Sequence, residues 1–228
     1  MQLLKLETQL SNFKRTPNKI EKYDLLERYF NKELPMSCVD DVIATAGLLD
    51  REMYIGEVTH EIASGIESMI RFWNLADDEL NIPVEERQPI RIYIDSPGGS
   101  LTACFMIINA IELSKTPIYT YNIGCAYSAG FFIYITGHKR FAYSLSSFLF
   151  HEGATTTGDF IDAHKFRNQA DFYSTQLNQL KEHVLRYTKI TEAEYEKIKK
   201  DDYWLTAKEA VEKGIVDEIC VRGDSWAK

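Results

Sequence analysis

From Arg51 onward, apolar residues fall into short runs and periodic stretches that alternate in a regular order. "EMYIGE" reads as a short strand. Between Thr59 and Trp73, Ile62, Ile66, Met69, Ile70 and Trp73 recur at helical spacing and mark one buried face. Thr59 and Ile62 flank the N-cap region of that helix. "IRIYID" (90–95) is a strand, "SPGGS" (96–100) a turn and "LTACFMIINAIELS" a buried helix. "PIYTYNIG" (117–124) is the next strand, a further helix starts within Ser128–Thr136, and "FAYSLSSFLFHE" (141–152) supplies more strand. Strand, turn, helix, repeated, predicts parallel βαβ units and an α/β fold.

The clearest helix spans 159–189. Phe166, Ala170, Tyr173, Leu177, Leu180, Val184 and Tyr187 are spaced 4-3-4-3-4-3, an apolar seam about 22 residues long. A seam of that length projects beyond a small α/β body and is expected to pack against another subunit; folding back on its own core is the alternative. Thr191 with Glu194, and Thr206 with Glu209, have capping-box spacing, and Gly214 is placed to end the second of these helices. "IVDEICV" closes the chain with a short strand. Residues 1–48 differ. They are charged, loosely helical in pattern (Leu25, Leu26, Tyr29, Phe30) and interrupted by Pro17 and Pro35, so they read as a helical N-terminal extension to a domain covering 49–228. The acidic "LADDELNIPVEERQP" (75–89) reads as a surface loop.

Composition narrows the function. The formal net charge of −8 and pI near 5.2 argue against nucleic acid or an anionic membrane as partner. The four cysteines are scattered without a C-x-x-C pair, as expected of reduced thiols rather than a disulfide frame or zinc site. Cys104 lies in an apolar helix; Cys125, near Ser128, is the one thiol close to candidate chemistry. The N-terminus lacks signal-peptide features, and no apolar run approaches bilayer length. The expectation is a cytoplasmic protein.

Candidate chemistry centres on "GCAYSAGFF" (124–132). Ser128 stands between a strand and an apolar helix, among Gly124, Ala126, Ala129 and Gly130. A serine there lies near helix N-terminal N–H groups able to stabilise an oxyanion. The spacing resembles a nucleophile elbow with Ala126 in place of the first glycine; a helix-capping serine is the commoner reading of the same pattern. Ser96-Pro97-Gly98-Gly99 can expose backbone N–H groups to a ligand, but it lacks the lysine and spacing of a phosphate loop. Among five histidines, His60, His164 and His183 lie on helices of mixed polarity and read as exposed, and His138 lies in a turn. His151 ends an apolar strand and opens into a Gly/Thr loop, a common address for a catalytic base. Asp202, Asp201, Glu152 and Asp217 are candidate carboxylates to orient it.

Together these pieces resemble the ClpP proteolytic subunit family, from about Asp50 to Cys220. The S-P-G-G-S turn after a strand, the G-x-A-x-S-x-G turn about thirty residues on, and a histidine 23 residues later match in order. "WLTAKEAVEKGIVDEI" resembles the family's closing segment. The resemblance implies a serine endopeptidase on a crotonase-like spiral of βαβ units, with Ser128 as nucleophile, His151 as base and Asp202 as acid. Backbone N–H groups of Gly99 and Ala129 would form the oxyanion hole, and no metal or cofactor would be needed. It also implies that the 159–189 seam is the handle helix that interleaves two heptameric rings into a fourteen-subunit chamber. Unfolded polypeptides would be the substrates and an AAA+ unfoldase the partner, docked at apolar pockets that include the Tyr93 and Leu113 positions.

The sequence departs from that pattern in four places. Glu152-Gly153 replaces the usual Gln-Pro, placing a carboxylate beside the base that could compete with Asp202 for its Nδ1. Asp201 stands where an arginine often ties the two rings. Residues 1–48 do not resemble the axial hairpin, and 75–89 is longer than usual. These departures keep open a specialised processing protease, such as one for phage head maturation, acting without an unfoldase. They also keep open an inactive structural ring subunit. An acyl-CoA enzyme of the crotonase type is a further alternative.

Overall fold

In the computed structural model, the residues described are Gly47, 50–153 and 162–224. The predicted extension 1–48, Gly47 aside, and residues 154–161 lie outside them.

The element order is β1 (Glu52–Ile55), α1 (His60–Glu79), a 3-10 turn (Val84–Glu86), β2 (Ile90–Ser96), α2 (Leu101–Leu113), β3 (Ile118–Tyr127), α3 (Ala129–Ile135), β4 (Lys139–Tyr143), β5 (Ser147–Phe150), α4 (Ala163–Tyr187), α5 (Glu192–Ile198), β6 (Tyr203–Thr206), α6 (Ala207–Glu212) and β7 (Glu218–Cys220). Every element from α1 onward lies in one compact unit. The sheet runs β1-β2-β3-β4-β7, and β5 branches from β3 to carry β6. Pairings β2–β3, β3–β4, β3–β5 and β4–β7 are parallel, and β5–β6 is antiparallel. This is the expected parallel α/β architecture, consistent with a crotonase-like spiral.

The core forms where the sheet meets α2 and α3. Ile90, Ile92, Ile94, Ile107, Ile111, Phe131 and Phe148 are fully buried. α3 is buried along its whole length. It can lie this close because residue 130 is glycine: a Cβ there would meet Ser96 Cβ at 2.7 Å.

Three expectations need correction. Residues 75–79 are not loop but the last turns of α1. Polar groups at this end of α1 have a tertiary use: Asn74 Oδ1, just before the segment, accepts from Lys115 N–H (2.8 Å) and Thr116 N–H (3.1 Å), and buried Asp77 accepts from Thr116 Oγ1 (2.8 Å). Side chains that look solvated in sequence tie the end of α1 to the α2–β3 connection. The strand predicted to end at Gly124 runs on to Tyr127 through its pairing with β5. His183 is buried rather than exposed, its Nε2 2.9 Å from Thr136 Oγ1, and burial holds its imidazole below the usual value.

The capping expectations divide. Thr206 and Glu209 form a full box. Thr191 caps α5 through Glu194 N–H (3.2 Å), but the Glu194 carboxylate goes to Lys213 (2.6 Å), so the second half of that box is not made. Gly214 closes α6 with φ 65°, as expected of a C′ residue. The long helix begins at Ala163 in the described residues. Its C-terminal part meets the C-terminal end of α3 through His183, beside Phe132 and Thr136, and buries Leu180 and Val184, whereas Phe166 and Phe172 are exposed.

Candidate active site

Two strand registers assemble the predicted residues. In the β3–β5 ladder Tyr127 pairs with Leu149, and Ser128 N–H donates to Leu149 O at 3.0 Å. Ser128 therefore leaves the end of β3 beside the end of β5, where His151 follows Phe150. In the antiparallel β5–β6 ladder Phe150 pairs with Tyr203. One step further along that register sets His151 against Asp202, and His151 Nδ1 lies 3.4 Å from Asp202 Oδ1. The imidazole is about one-third exposed and the carboxylate more than half exposed.

Ser128 occupies the N-cap position of α3 but does not cap it. Its backbone has φ 53° and ψ −120°, a region L residues rarely adopt and one that costs of order 1–3 kcal/mol. The carbonyl still accepts from Phe131 N–H (3.0 Å) and Phe132 N–H (3.3 Å). Among the described residues Ser128 Oγ makes no hydrogen bond, to His151 or to any other group. The hydroxyl is thus released from the structural role that sequence alone made the commoner reading.

The Ser96–Ser100 turn lies against this serine. A Cβ on Gly98 (φ 109°) would meet Ser128 Cβ at 2.8 Å, and one on Gly99 (φ 147°) would meet Val58 O at 2.4 Å. Val58 fixes the turn: its N–H donates to Gly98 O and its carbonyl accepts from Ser100 N–H, both at 2.8 Å. Those bonds leave the Gly99 N–H unused, and among the described residues it and the Ala129 N–H have no acceptor. Val58 was not foreseen, because nothing local marks a bridge to a residue 41 positions away.

The other candidates resolve by their partners. Asp217 is bound to Arg140 (2.6 Å to Nη2), away from His151. Glu152 turns from the imidazole and accepts from Tyr195 OH at 3.2 Å, while its backbone carbonyl accepts from Tyr173 OH at 3.0 Å. Asp201 is exposed and forms no ion pair among the described residues. His138 Nδ1 accepts from Ile118 N–H (3.1 Å), and burial lowers its pKa. Cys104 is fully buried, which pushes its thiol pKa far up. Burial and a hydrogen bond to Asp95 push the Cys125 thiol up to about 11, so neither sulfur is primed as a nucleophile. Among the described residues no helix is long and apolar enough to cross a membrane, and no group of three or more His, Cys, Asp or Glu could hold a metal ion.

A strand-end serine at positive φ, a histidine against a carboxylate and a glycine turn whose Gly99 N–H has no acceptor among the described residues gather where β3, β5 and β6 end or begin. The Clp protease family model matches residues 49–223, and the chain belongs to that family. It is 30% identical to an ATP-dependent Clp protease proteolytic subunit 2 of Treponema denticola over 79% of this chain and 86% of that protein. It is 28% identical to the protein of the same name from Treponema pallidum, over 72% and 78%. Membership supports a peptidase function.

Proposed function

We propose that this chain is a serine endopeptidase in which Ser128, His151 and Asp202 form the catalytic triad. The observation that carries the reading is the pair of registers β3–β5 and β5–β6, which bring these three residues to one edge of the sheet. Ser128 Oγ attacks the carbonyl carbon of a peptide bond while His151 Nε2 takes its proton. Asp202 holds the imidazole by Nδ1 and stabilises the imidazolium. The N–H groups of Gly99 and Ala129 bind the oxygen as it becomes negative; one such donor is typically worth about 10²–10³ in rate. His151 then returns the proton to the leaving amine, and water hydrolyses the acyl-enzyme. The absent Ser128–His151 hydrogen bond accords with triads whose contacts tighten only when substrate arrives.

The chamber belongs to the same proposal. The first half of α4 leaves Phe166, the start of its apolar seam, and Phe172 beside the seam exposed, as expected of a handle that interleaves heptameric rings into a homo-oligomer. Unfolded polypeptide is the substrate class. An AAA+ unfoldase would dock near Leu113, which is 83% exposed, and Tyr93.

The test is intact-mass labelling with a fluorophosphonate probe. A single adduct on the native protein, absent from Ser128→Ala, is expected. No adduct would overturn the reading and favour an inactive ring subunit. Native mass spectrometry of the same sample reports the subunit number.

A further inference from the structure

The residue after His151 is held from two directions. Tyr173, on α4, donates its hydroxyl to the Glu152 carbonyl at 3.0 Å. Tyr195, on α5, donates to Glu152 Oε1 at 3.2 Å. Tyr195 is fully buried and packs on Phe150, the residue before His151, with ring centroids 5.3 Å apart. The segment 150–152 is therefore gripped by both helices on either side of the imidazole. Gly153 follows with φ 75°.

We propose that Tyr195 is a positioning residue: its hydroxyl holds the Glu152 carboxylate off the imidazole, leaving Nδ1 of His151 to Asp202. This rests on His151 being the base of the proposed serine peptidase. A carboxylate one residue from the base is a hazard, because on Nδ1 it would replace Asp202 and stabilise the imidazolium before any substrate binds. The Tyr195 phenol gives that carboxylate another partner. Burial, and then the charge of Glu152, push the phenol pKa far above its ordinary value, so Tyr195 stays a donor throughout the working pH range.

The surrounding charges leave this arrangement undisturbed. Lys181 lies 5.9 Å from the Tyr195 ring centroid but is bound to Glu192 (2.7 Å) and Glu196 (2.9 Å). Facing His151 itself is Asp202, with Asp201 beside it in sequence. The clamp also links the base to α4, the helix proposed to join the rings.

The experiment measures kcat/KM for a fluorogenic peptide, and the fluorophosphonate labelling rate, against pH on the assembled full chain. Tyr195→Phe removes one hydroxyl and keeps the ring volume. The freed Glu152 carboxylate then reaches the imidazole. The acid limb is expected to move up by about 0.5–1 pH unit, a loss that approaches roughly 3–10-fold well below the limb and vanishes on the plateau above it. Glu152→Gln in the same background removes the charge and is expected to return the limb to its wild-type position. A loss uniform across pH, or a shift that persists in the double variant, overturns the proposal and reduces Tyr195 to a packing residue. If Tyr195→Phe does not fold, Glu152→Asp shortens the carboxylate out of reach of the phenol; the same shift is expected, and an unmoved limb is equally decisive. Hydrolysis that survives Ser128→Ala, or a wild type that neither hydrolyses nor labels, removes the serine-peptidase reading itself. An inactive Ser128→Ala with an unmoved limb removes only the clamp.

Discussion

Two strand-to-helix turns lie side by side at the ends of β2 and β3, and both contain serine at the helix cap. In the first, every hydroxyl has structural work. Ser96 is buried and accepts from Gly98 N–H at 3.2 Å, and Ser100 caps α2 by accepting from Ala103 N–H at 3.4 Å. In the second, Ser128 holds the equivalent position before α3 and its hydroxyl caps nothing. The difference lies in the backbone. Ser100 has the extended conformation of an ordinary cap (φ −65°, ψ 125°), which aims Oγ at the first-turn N–H groups. At φ 53° and ψ −120°, Ser128 aims elsewhere. The same residue type at the same topological place is thus glue in one turn and available in the other, and the strain at Ser128 is the local cost of that availability.

Four substitutions test the contrast. The largest effect is expected from Ser128→Ala: peptide hydrolysis falls by about 10⁴-fold or more, while thermal stability stays within about 0.5 kcal/mol because no hydrogen bond of the hydroxyl is lost. A clear drop in melting temperature would show that the hydroxyl is structural after all. Next is Gly99→Ala, whose Cβ would sit 2.4 Å from Val58 O at a φ that disfavours side chains. The turn must shift, and the expected outcome is a loss of activity of about 100-fold, by displacement of the Gly99 N–H, with a destabilisation above about 1 kcal/mol in denaturant titration. Ser100→Ala removes an ordinary cap and should cost about 1 kcal/mol in the same titration. If Ser100→Ala and Ser128→Ala destabilise equally, the distinction between the two turns is lost. The smallest effect is Ser128→Gly measured against Ser128→Ala. Glycine relieves the strained φ, and the glycine variant should be the more stable by about 1 kcal/mol, less its larger unfolded-state entropy.

Much of this was legible in residue order. The alternation of apolar runs and turns located β2, α2, β3, α3 and α6, and the Thr206–Glu209 spacing marked a real capping box. All of these depend on neighbours within a few positions. The same local rule gave only half the answer at Thr191, because Glu194 found Lys213, 19 residues away, a closer partner than its own cap. It misjudged 75–79 and His183 for a related reason: polar side chains count as solvated until a distant segment supplies them with partners. At Glu152 the sequence raised a conflict with Asp202, and the fold answered it with Tyr195, 43 residues downstream.

By itself, then, the sequence determined most of the elements, the Thr206–Glu209 cap and the periodic apolar seam of α4, and it nominated residues for chemistry. Each is written in spacings of two, three or four, the periods at which backbone geometry repeats. Tertiary structure alone decided that Ser128 lies against Leu149, two residues before His151, and His151 against Asp202. That outcome rests on two strand registers, and a register is set by which buried faces meet across the sheet. A slip of one residue would turn every side chain to the other face and take the three apart.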